Sequence, residues 1–203
     1  YLDEIAAEDI PVEEIAFTGG EPFMNPDLPD MIEESLAGGF RVLVLTNAMK
    51  PMWNKRRRLL DILRHHSGAF VIRVSIDHFT QARHEAIRGE NSWAPMIEGL
   101  KWLAENGFQP PVAGRTCWNE TEDAARQGYA RLFADEDIPI DAFDAANLVL
   151  FPEMDAGADV PEITINCWDI LGVAPDTMMC ATSRMVIKRK GAAHPVVVSC
   201  TLI

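Results

Sequence analysis

Five short apolar segments, each followed by a stretch with helical character, constrain the fold of this chain more than any other feature. The predicted strands begin near residues 15, 42, 71, 112 and 147, and the intervals leave room for one crossover helix each. Strands joined in this way run parallel, with right-handed connections. The pattern predicts an α/β fold in which the carboxyl ends of the strands share one edge.

The segments between these strands carry helix start and stop signals. The stretch 25–40 has prolines and acidic residues near its start and two glycines at its end, which is typical of a crossover helix. Further helices are predicted over residues 55–66, 92–106 and 121–135. The motif NETE at 119–122 has the spacing of a capping box for the last of them.

The first strand ends in the motif GGEP. Gly19 and Gly20 remove Cβ atoms where the strand meets its loop, so the backbone can adopt unusual torsions and approach a ligand closely. Glu21 offers a carboxylate, and Pro22 sets the direction in which the chain leaves. A partly desolvated ammonium group bound to Glu21 would contribute about 1.5 to 3 kcal/mol. The motif predicts a small-ligand site.

Polar residues also end the second and fourth strands. The segment RVLVL is an almost unbroken apolar run, typical of a strand covered on both faces, and it ends in Thr46 and Asn47. The fourth strand ends in the sequence GRT. Its Arg115 suits either the carboxylate of a ligand or a structural salt bridge, and the sequence leaves both open.

The third strand, FVIRVSID, alternates between apolar and polar residues. Arg73, Ser75 and Asp77 occupy the odd positions, and branched apolar residues occupy the even positions between them. Because successive side chains point to opposite faces, one face must pack on helices and the other must meet water, charge or a ligand. The alternation is typical of a barrel wall beside a ligand.

Together the strand-end sequences FTGGEP, LTN and SID resemble the core of the radical S-adenosylmethionine (SAM) enzymes. The resemblance implies that the GGE motif contacts the methionyl amino group of SAM. It also implies that residues at the following strand ends contact the carboxylate and the ribose. These two roles would fall on four residues: Thr46, Asn47, Ser75 and Asp77.

The resemblance also implies a partial (β/α)6 TIM-like barrel with parallel strands. Five strands are one short of six, so we expect the first βα unit to be missing. We assign residues 1–151 to the partial barrel. Residues 152–203 are expected to form a C-terminal extension with a β-hairpin that turns near Gly191.

The cysteines depart from the family pattern. In the family that this chain resembles, a CxxxCxxC loop holds the catalytic [4Fe-4S] cluster. No cysteines with this spacing occur in the sequence. We expect the chain to be a fragment whose cluster ligands belong to the missing N-terminal part. A naturally cluster-free relative is the alternative. Cys180 and Cys200 are candidates for an auxiliary cluster, or else unligated core residues.

Two other function classes stay open at this stage. His78, His84, Glu85 and Asp77 lie just beyond a strand end, where barrel hydrolases bind metal ions, although neither HxH nor HExxH occurs. A non-catalytic SAM-binding or scaffold domain is the other alternative. Iron and sulfide in the full-length protein would favour the radical enzyme, zinc the hydrolase, and neither the scaffold.

Composition restricts the partners. The net charge of -13 argues against nucleic acid or an anionic membrane surface as the main partner. The sequence has no apolar run of about 18 residues and no signal-peptide pattern, so we expect a cytoplasmic protein. The resemblance implies a small-molecule or peptide substrate and an electron donor such as flavodoxin or ferredoxin.

We predict that this 203-residue chain, produced alone, neither holds the catalytic cluster nor cleaves SAM, because it lacks three thiolates on one loop. The measurement is anaerobic reconstitution with iron and sulfide, followed by chromatography for 5'-deoxyadenosine. Formation of 5'-deoxyadenosine would contradict the prediction.

Overall fold

The computed structural model describes residues 1–117, 119–152 and 164–198. The chain divides into two compact units, Tyr1–Met154 and Asp155–Ile203, and each is described by itself.

The first unit is built on five parallel strands. In chain order they are β1 Glu14–Phe17, β2 Arg41–Thr46, β3 Phe70–Ser75, β4 Val112–Thr116 and β5 Leu148–Pro152. Each strand pairs with the next one along the chain, so the spatial order is β1-β2-β3-β4-β5. The sheet curls into half of a barrel, which confirms the predicted fold class.

One helix precedes β1, and helices follow β1 to β4 as expected for βα units. They are α1 Leu2–Ala7, α2 Leu28–Ala37, α3 Lys50–Trp53, α4 Arg56–His66, α5 Gln81–Arg88, α6 Trp93–Glu105 and α7 Glu122–Asp135. The helix α7 begins one residue later than predicted. Its N-cap is Thr121, whose hydroxyl accepts a hydrogen bond from the backbone N–H of Ala124. The cap therefore lies inside the NETE motif rather than at its first residue.

The strand β3 alternates as its sequence predicts. Ile72 and Val74 are buried among the residues of the hydrophobic core, whereas Arg73 and Ser75 are only half-buried on the opposite face. We call the face that carries Arg73 and Ser75 the concave face of the half-barrel. Apolar burial on one face holds the sheet against its helices and leaves the other face for polar groups.

The strand β2 differs from its prediction. Its apolar run predicted a strand covered on both faces, but only Val42 and Val44 are fully buried, while Leu43 and Leu45 are half-buried. Leu43 and Leu45 lie beside Val71 and Arg73 of β3 in the sheet register, on the concave face. An apolar run therefore does not by itself report how many faces of a strand are covered.

The second unit contains the predicted β-hairpin. Its elements are α8 Cys167–Leu171, α9 Met179–Thr182, β6 Met185–Ile187 and β7 Val196–Val198. The strands β6 and β7 pair antiparallel. The connection between them includes Gly191, whose φ of 80° lies in the region that favours glycine. Among the described helices, none is both long and apolar enough to span a bilayer.

Gly99 of α6 offers a test of the packing beneath the strand ends. A Cβ added to Gly99 would lie 1.9 Å from the carbonyl oxygen of Ala48, immediately after β2. We predict that Gly99→Ala lowers the free energy of unfolding by about 1 to 3 kcal/mol, because the backbone must shift to admit the methyl group. Urea unfolding measures the loss.

Gly68→Ala is the matched control, since a Cβ added at Gly68 meets no atom within 4 Å. We expect this control to change the free energy of unfolding by less than about 0.5 kcal/mol. Equal effects of the two substitutions would show that the contact between Gly99 and Ala48 does not limit the packing.

Candidate functional site

The loop after β1 owes its path to two glycines. Gly19 and Gly20 have φ values of 95° and 49°, a conformation that residues with a Cβ rarely adopt. Cβ atoms added at these two positions would meet nothing within 4 Å. The backbone torsion therefore requires the glycines, and the space in front of them is open.

The carboxylate of Glu21 joins this loop to the end of β2. Its Oε1 accepts hydrogen bonds from the Thr46 hydroxyl at 2.8 Å and from the backbone N–H of Phe23 at 3.1 Å. Its Oε2 accepts one from the backbone N–H of Asn47 at 2.8 Å. A carboxylate offers about four acceptor positions, so the described residues occupy three and leave one on Oε2 without a described donor.

The residues at the end of β2 are themselves held in place. The Thr46 hydroxyl also accepts a hydrogen bond from the backbone N–H of Ala48 at 3.1 Å, and Thr46 is 2% exposed. The Asn47 side-chain oxygen accepts one from the backbone N–H of Met49 at 3.0 Å. The buried Thr46 hydroxyl thus orients Glu21 and the loop, and it does not face open space.

Asp77, just beyond β3, is the centre of a second polar cluster. It is 2% exposed. Its carboxylate forms ion pairs with Arg88 and, at 2.8 Å, with Arg115. The backbone N–H of Arg115 also donates to the carbonyl oxygen of Asp77. A buried carboxylate needs such partners, because an unpaired charge there would be strongly destabilising.

Of the two roles that the sequence left open for Arg115, the structure shows the salt bridge. The side chain is still 43% exposed, so its guanidinium keeps donors available to a ligand. Arg88 was missed by the sequence analysis. The available signal was Asp77 itself, since a carboxylate placed in a predicted core strand requires a nearby cation.

A small cavity lies between the two clusters. It has a volume of about 140 Å³, and its lining is Asn47, Met49, His84, Arg88, Glu90, Ser92 and Met96. Asn47 borders the Glu21 cluster, and Arg88 belongs to the Asp77 cluster. The parallel strands place their carboxyl ends at one edge, and of the predicted SAM-contacting residues Asn47 lines this cavity, whereas Glu21, Ser75 and Arg115 do not. Ser75 is half-buried on the concave face, opposite Ala113 in the register.

His78, just beyond β3, belongs to a hydrogen-bonded network, whereas Nδ1 of His84 is buried without a described hydrogen-bond partner. His78 accepts a hydrogen bond at Nδ1 from the backbone N–H of Thr80 at 2.9 Å. Its Nε2 lies 3.0 Å from Glu120, which also pairs with Arg83. Within the described residues, no group of three or more His, Cys, Asp or Glu side chains is arranged to hold a metal ion. No observation therefore favours the hydrolase.

The cysteines offer no family-type cluster site. Cys117 is buried and Cys167 is half-buried. The side chain of Cys180 and all of Cys200 lie outside the described residues, so their auxiliary-cluster role stays a prediction. Because no CxxxCxxC loop occurs in the sequence, the residues present do not fit the catalytic cluster.

Comparison with known proteins identifies the family. Residues 1–125 match the radical SAM superfamily. The chain belongs to this superfamily. Radical SAM proteins use SAM and a [4Fe-4S] cluster, and the strand-end groups described above lie within the matched residues.

Three relatives place this radical SAM chain more closely. It is 32% identical over 103 residues to GTP 3',8-cyclase of Tolumonas auensis, covering 50% of the chain and 29% of the cyclase. It is 27% identical over 97 residues to the antilisterial bacteriocin subtilosin biosynthesis protein AlbA of Bacillus subtilis, covering 47% and 21%. The chain thus spans less than a third of the length of these two curated relatives.

The third relative is a solved structure, Streptococcus suis SuiB bound to the precursor peptide SuiA. It superposes with a TM-score of 0.54 and 13% identity, over 75% of this chain and 32% of SuiB. At this identity the likeness shows a shared fold.

Buried histidines beside the site generate a prediction on pH. Burial lowers the pKa of His78 and of His84, so folding favours the neutral form of both side chains. As the pH falls below about 6.5, the unfolded chain takes up protons before the folded chain does. The free energy of unfolding should therefore fall as the pH drops from 6.5 to 5.5, by at most about 1 kcal/mol for each histidine.

Urea unfolding at pH 7.5, 6.5 and 5.5 measures this slope. His84→Gln should remove one histidine's share of it. The matched control is His65→Gln, because His65 is exposed on α4, and it should keep the wild-type slope. An unchanged slope in His84→Gln would contradict the prediction.

Proposed function

We propose that this chain is the SAM-binding core of a radical SAM iron-sulfur enzyme. The observation that carries the proposal is the Glu21 carboxylate, which three protein donors hold at the strand-end edge with one acceptor position open. A preorganised carboxylate beside open glycine backbone suits the ammonium group of the SAM methionine.

The proposed contacts follow from the exposure of each predicted residue. Gly19, Gly20 and Glu21 face the amino group. Asn47 lies next to Glu21 and lines the cavity, which suits a contact with the carboxylate of SAM.

The groups at the ends of β3 and β4 take the remaining contacts. Ser75 offers its hydroxyl. Arg115 offers a half-exposed guanidinium.

Two predicted residues take different roles in this proposal. Thr46 and Asp77 are each 2% exposed, and their polar atoms already bind protein groups. We assign Thr46 to orienting Glu21. Asp77 then orients Arg115 and Arg88, so these two residues act through their neighbours. Pro22 is buried at the start of the turn that follows Glu21 and fixes the loop.

The chemistry of the bound group sets the task of these residues. In a radical SAM enzyme, SAM would supply a 5'-deoxyadenosyl radical after a reduced [4Fe-4S] cluster, which this chain does not hold, has given it one electron and methionine has left; the radical would then take a hydrogen atom from a substrate C–H bond. The residues of this chain bind and orient SAM, and orientation decides which C–H bond lies nearest. No residue of this chain is assigned to electron transfer, because the residues present do not fit the cluster.

The partners are proposed on the same basis. GTP 3',8-cyclase is named for a nucleotide, and AlbA for the biosynthesis of a bacteriocin. We therefore propose a small molecule or a peptide as substrate, and flavodoxin or ferredoxin as electron donor. The cellular location proposed for the enzyme is the cytoplasm.

Glu21→Ala in the full-length protein tests the proposal. We expect the Kd for SAM to rise about 10- to 150-fold, which corresponds to the loss of one charge-assisted hydrogen bond. The free energy of unfolding should also fall by about 1 to 3 kcal/mol, because two backbone N–H groups lose their acceptor. Isothermal titration with SAM and urea unfolding measure the two effects.

Thr46→Val is the matched control. It removes an internal hydrogen bond to Glu21 and keeps the carboxylate. We expect a comparable loss of stability with less than about a tenfold change in the Kd for SAM. If both variants weaken SAM binding equally, Glu21 acts only through the structure, and the proposed contact is wrong.

A further inference from the structure

Arg73 lies unpaired on the concave face of the half-barrel. It belongs to the middle of β3, between the core residues Ile72 and Val74, and its side chain leaves the opposite face. Its guanidinium makes no hydrogen bond or ion pair with any residue that the structure describes. The Nε atom is buried without a hydrogen-bond partner.

The other arginines of this face already have partners. Arg41, at the start of β2, lies 3.3 Å from Glu13 and 3.9 Å from Glu14. Arg115 is paired with Asp77 at 2.8 Å. Glu14 acts on Arg73 only through its charge, since the two form no ion pair. Within the described part of this face, Arg73 is therefore the arginine that forms no ion pair.

Burial makes an unpaired guanidinium unfavourable. Burial lowers the pKa of Arg73 even though the charge of Glu14 raises it, so the site disfavours the charge that Arg73 carries. A planar guanidinium with five donors binds carboxylate and phosphate groups through two parallel hydrogen bonds. An oxyanion at this place would both neutralise the charge and satisfy the buried Nε.

The position of Arg73 relates it to the proposed SAM site. Arg73 precedes Ser75 by two residues on the same face of β3, which places it about 7 Å farther from the strand-end edge. Its neighbour in the register is Leu45 of β2, and Leu43 and Val71 lie one step farther along the same face. The Arg73 guanidinium is thus a charged group among apolar side chains of the concave face.

We propose that Arg73 binds an oxyanion of the substrate, a carboxylate or a phosphate, on the concave face below the SAM site. This inference rests on the proposed function and narrows its substrate class to molecules that carry such a group. An anchor at Arg73 directs the rest of the substrate toward Ser75 at the strand-end edge. An uncharged analogue would leave the buried Nε of Arg73 unpaired and bind poorly.

The test compares Arg73→Leu with wild type in the full-length protein, with inorganic phosphate and acetate as probes. At constant ionic strength, set with sodium chloride, we expect phosphate or acetate to raise the Tm of wild type in a saturable way. Arg73→Leu should lose this shift. The anion that acts distinguishes a phosphate-bearing substrate from a carboxylate-bearing one.

Stability without added anion is the second measurement. Because Arg73 has no partner in the described structure, Arg73→Leu should keep the wild-type Tm or raise it by about 2 to 4 °C. Arg57→Leu is the matched control, since Arg57 is an exposed arginine of α4. It should retain the wild-type anion shift.

Three outcomes would overturn the inference. They are the absence of a shift with either anion in wild type, a shift retained by Arg73→Leu, and a fall in Tm of that variant in chloride. The last would show that Arg73 has a structural partner. The Kd for SAM, measured in parallel, should be unchanged in Arg73→Leu. If wild type does not bind SAM, only the proposed function is contradicted, because the Tm shift caused by anions is measured without SAM.

Discussion

The hydrogen bonds that Glu21 accepts from the end of β2 are the interaction on which the candidate site depends. The loop after β1 contains two glycines with positive φ, and glycine gives a loop little stiffness of its own. One carboxylate, bound by the Thr46 hydroxyl and the Asn47 amide, ties that loop to the neighbouring strand. The same contacts leave a single acceptor position open, so the fold and the ligand site share one group.

The concave face of β3 also presents a charged group for which we propose a ligand, and here the charge is positive. Asp77 is buried and fully paired with Arg88 and Arg115, whereas Arg73, two steps earlier on the same face, has no described partner. The paired cluster is a structural element that orients its arginines. The unpaired guanidinium is unfavourable by itself and becomes favourable with an anion. We therefore assign Asp77, Arg88 and Arg115 to the structure of the site and Arg73 to the proposed anion contact.

Much of the fold followed from local pattern. The five strands and the alternation of β3 were predicted from periodicity, because side chains point to alternate faces along any strand. The prediction for β2 was wrong about its second face, and the N-cap of α7 is Thr121 rather than the first residue of its motif. The coverage of β2 and the exact start of α7 both depend on contacts with other parts of the chain, which a local sequence pattern does not contain.

By itself, the sequence determined the positions of the strands, the α/β class and the family resemblance, since periodicity and motifs depend on near neighbours in the chain. Only the tertiary structure decided which of those residues are available to a ligand. Thr46 and Asp77 proved to be bound within the protein, Arg88 joined the site from α5, and Arg73 has no partner among the residues that the structure describes. Pairing between charges depends on distances across strands and helices, and these distances arise only when the sheet curls and its helices pack.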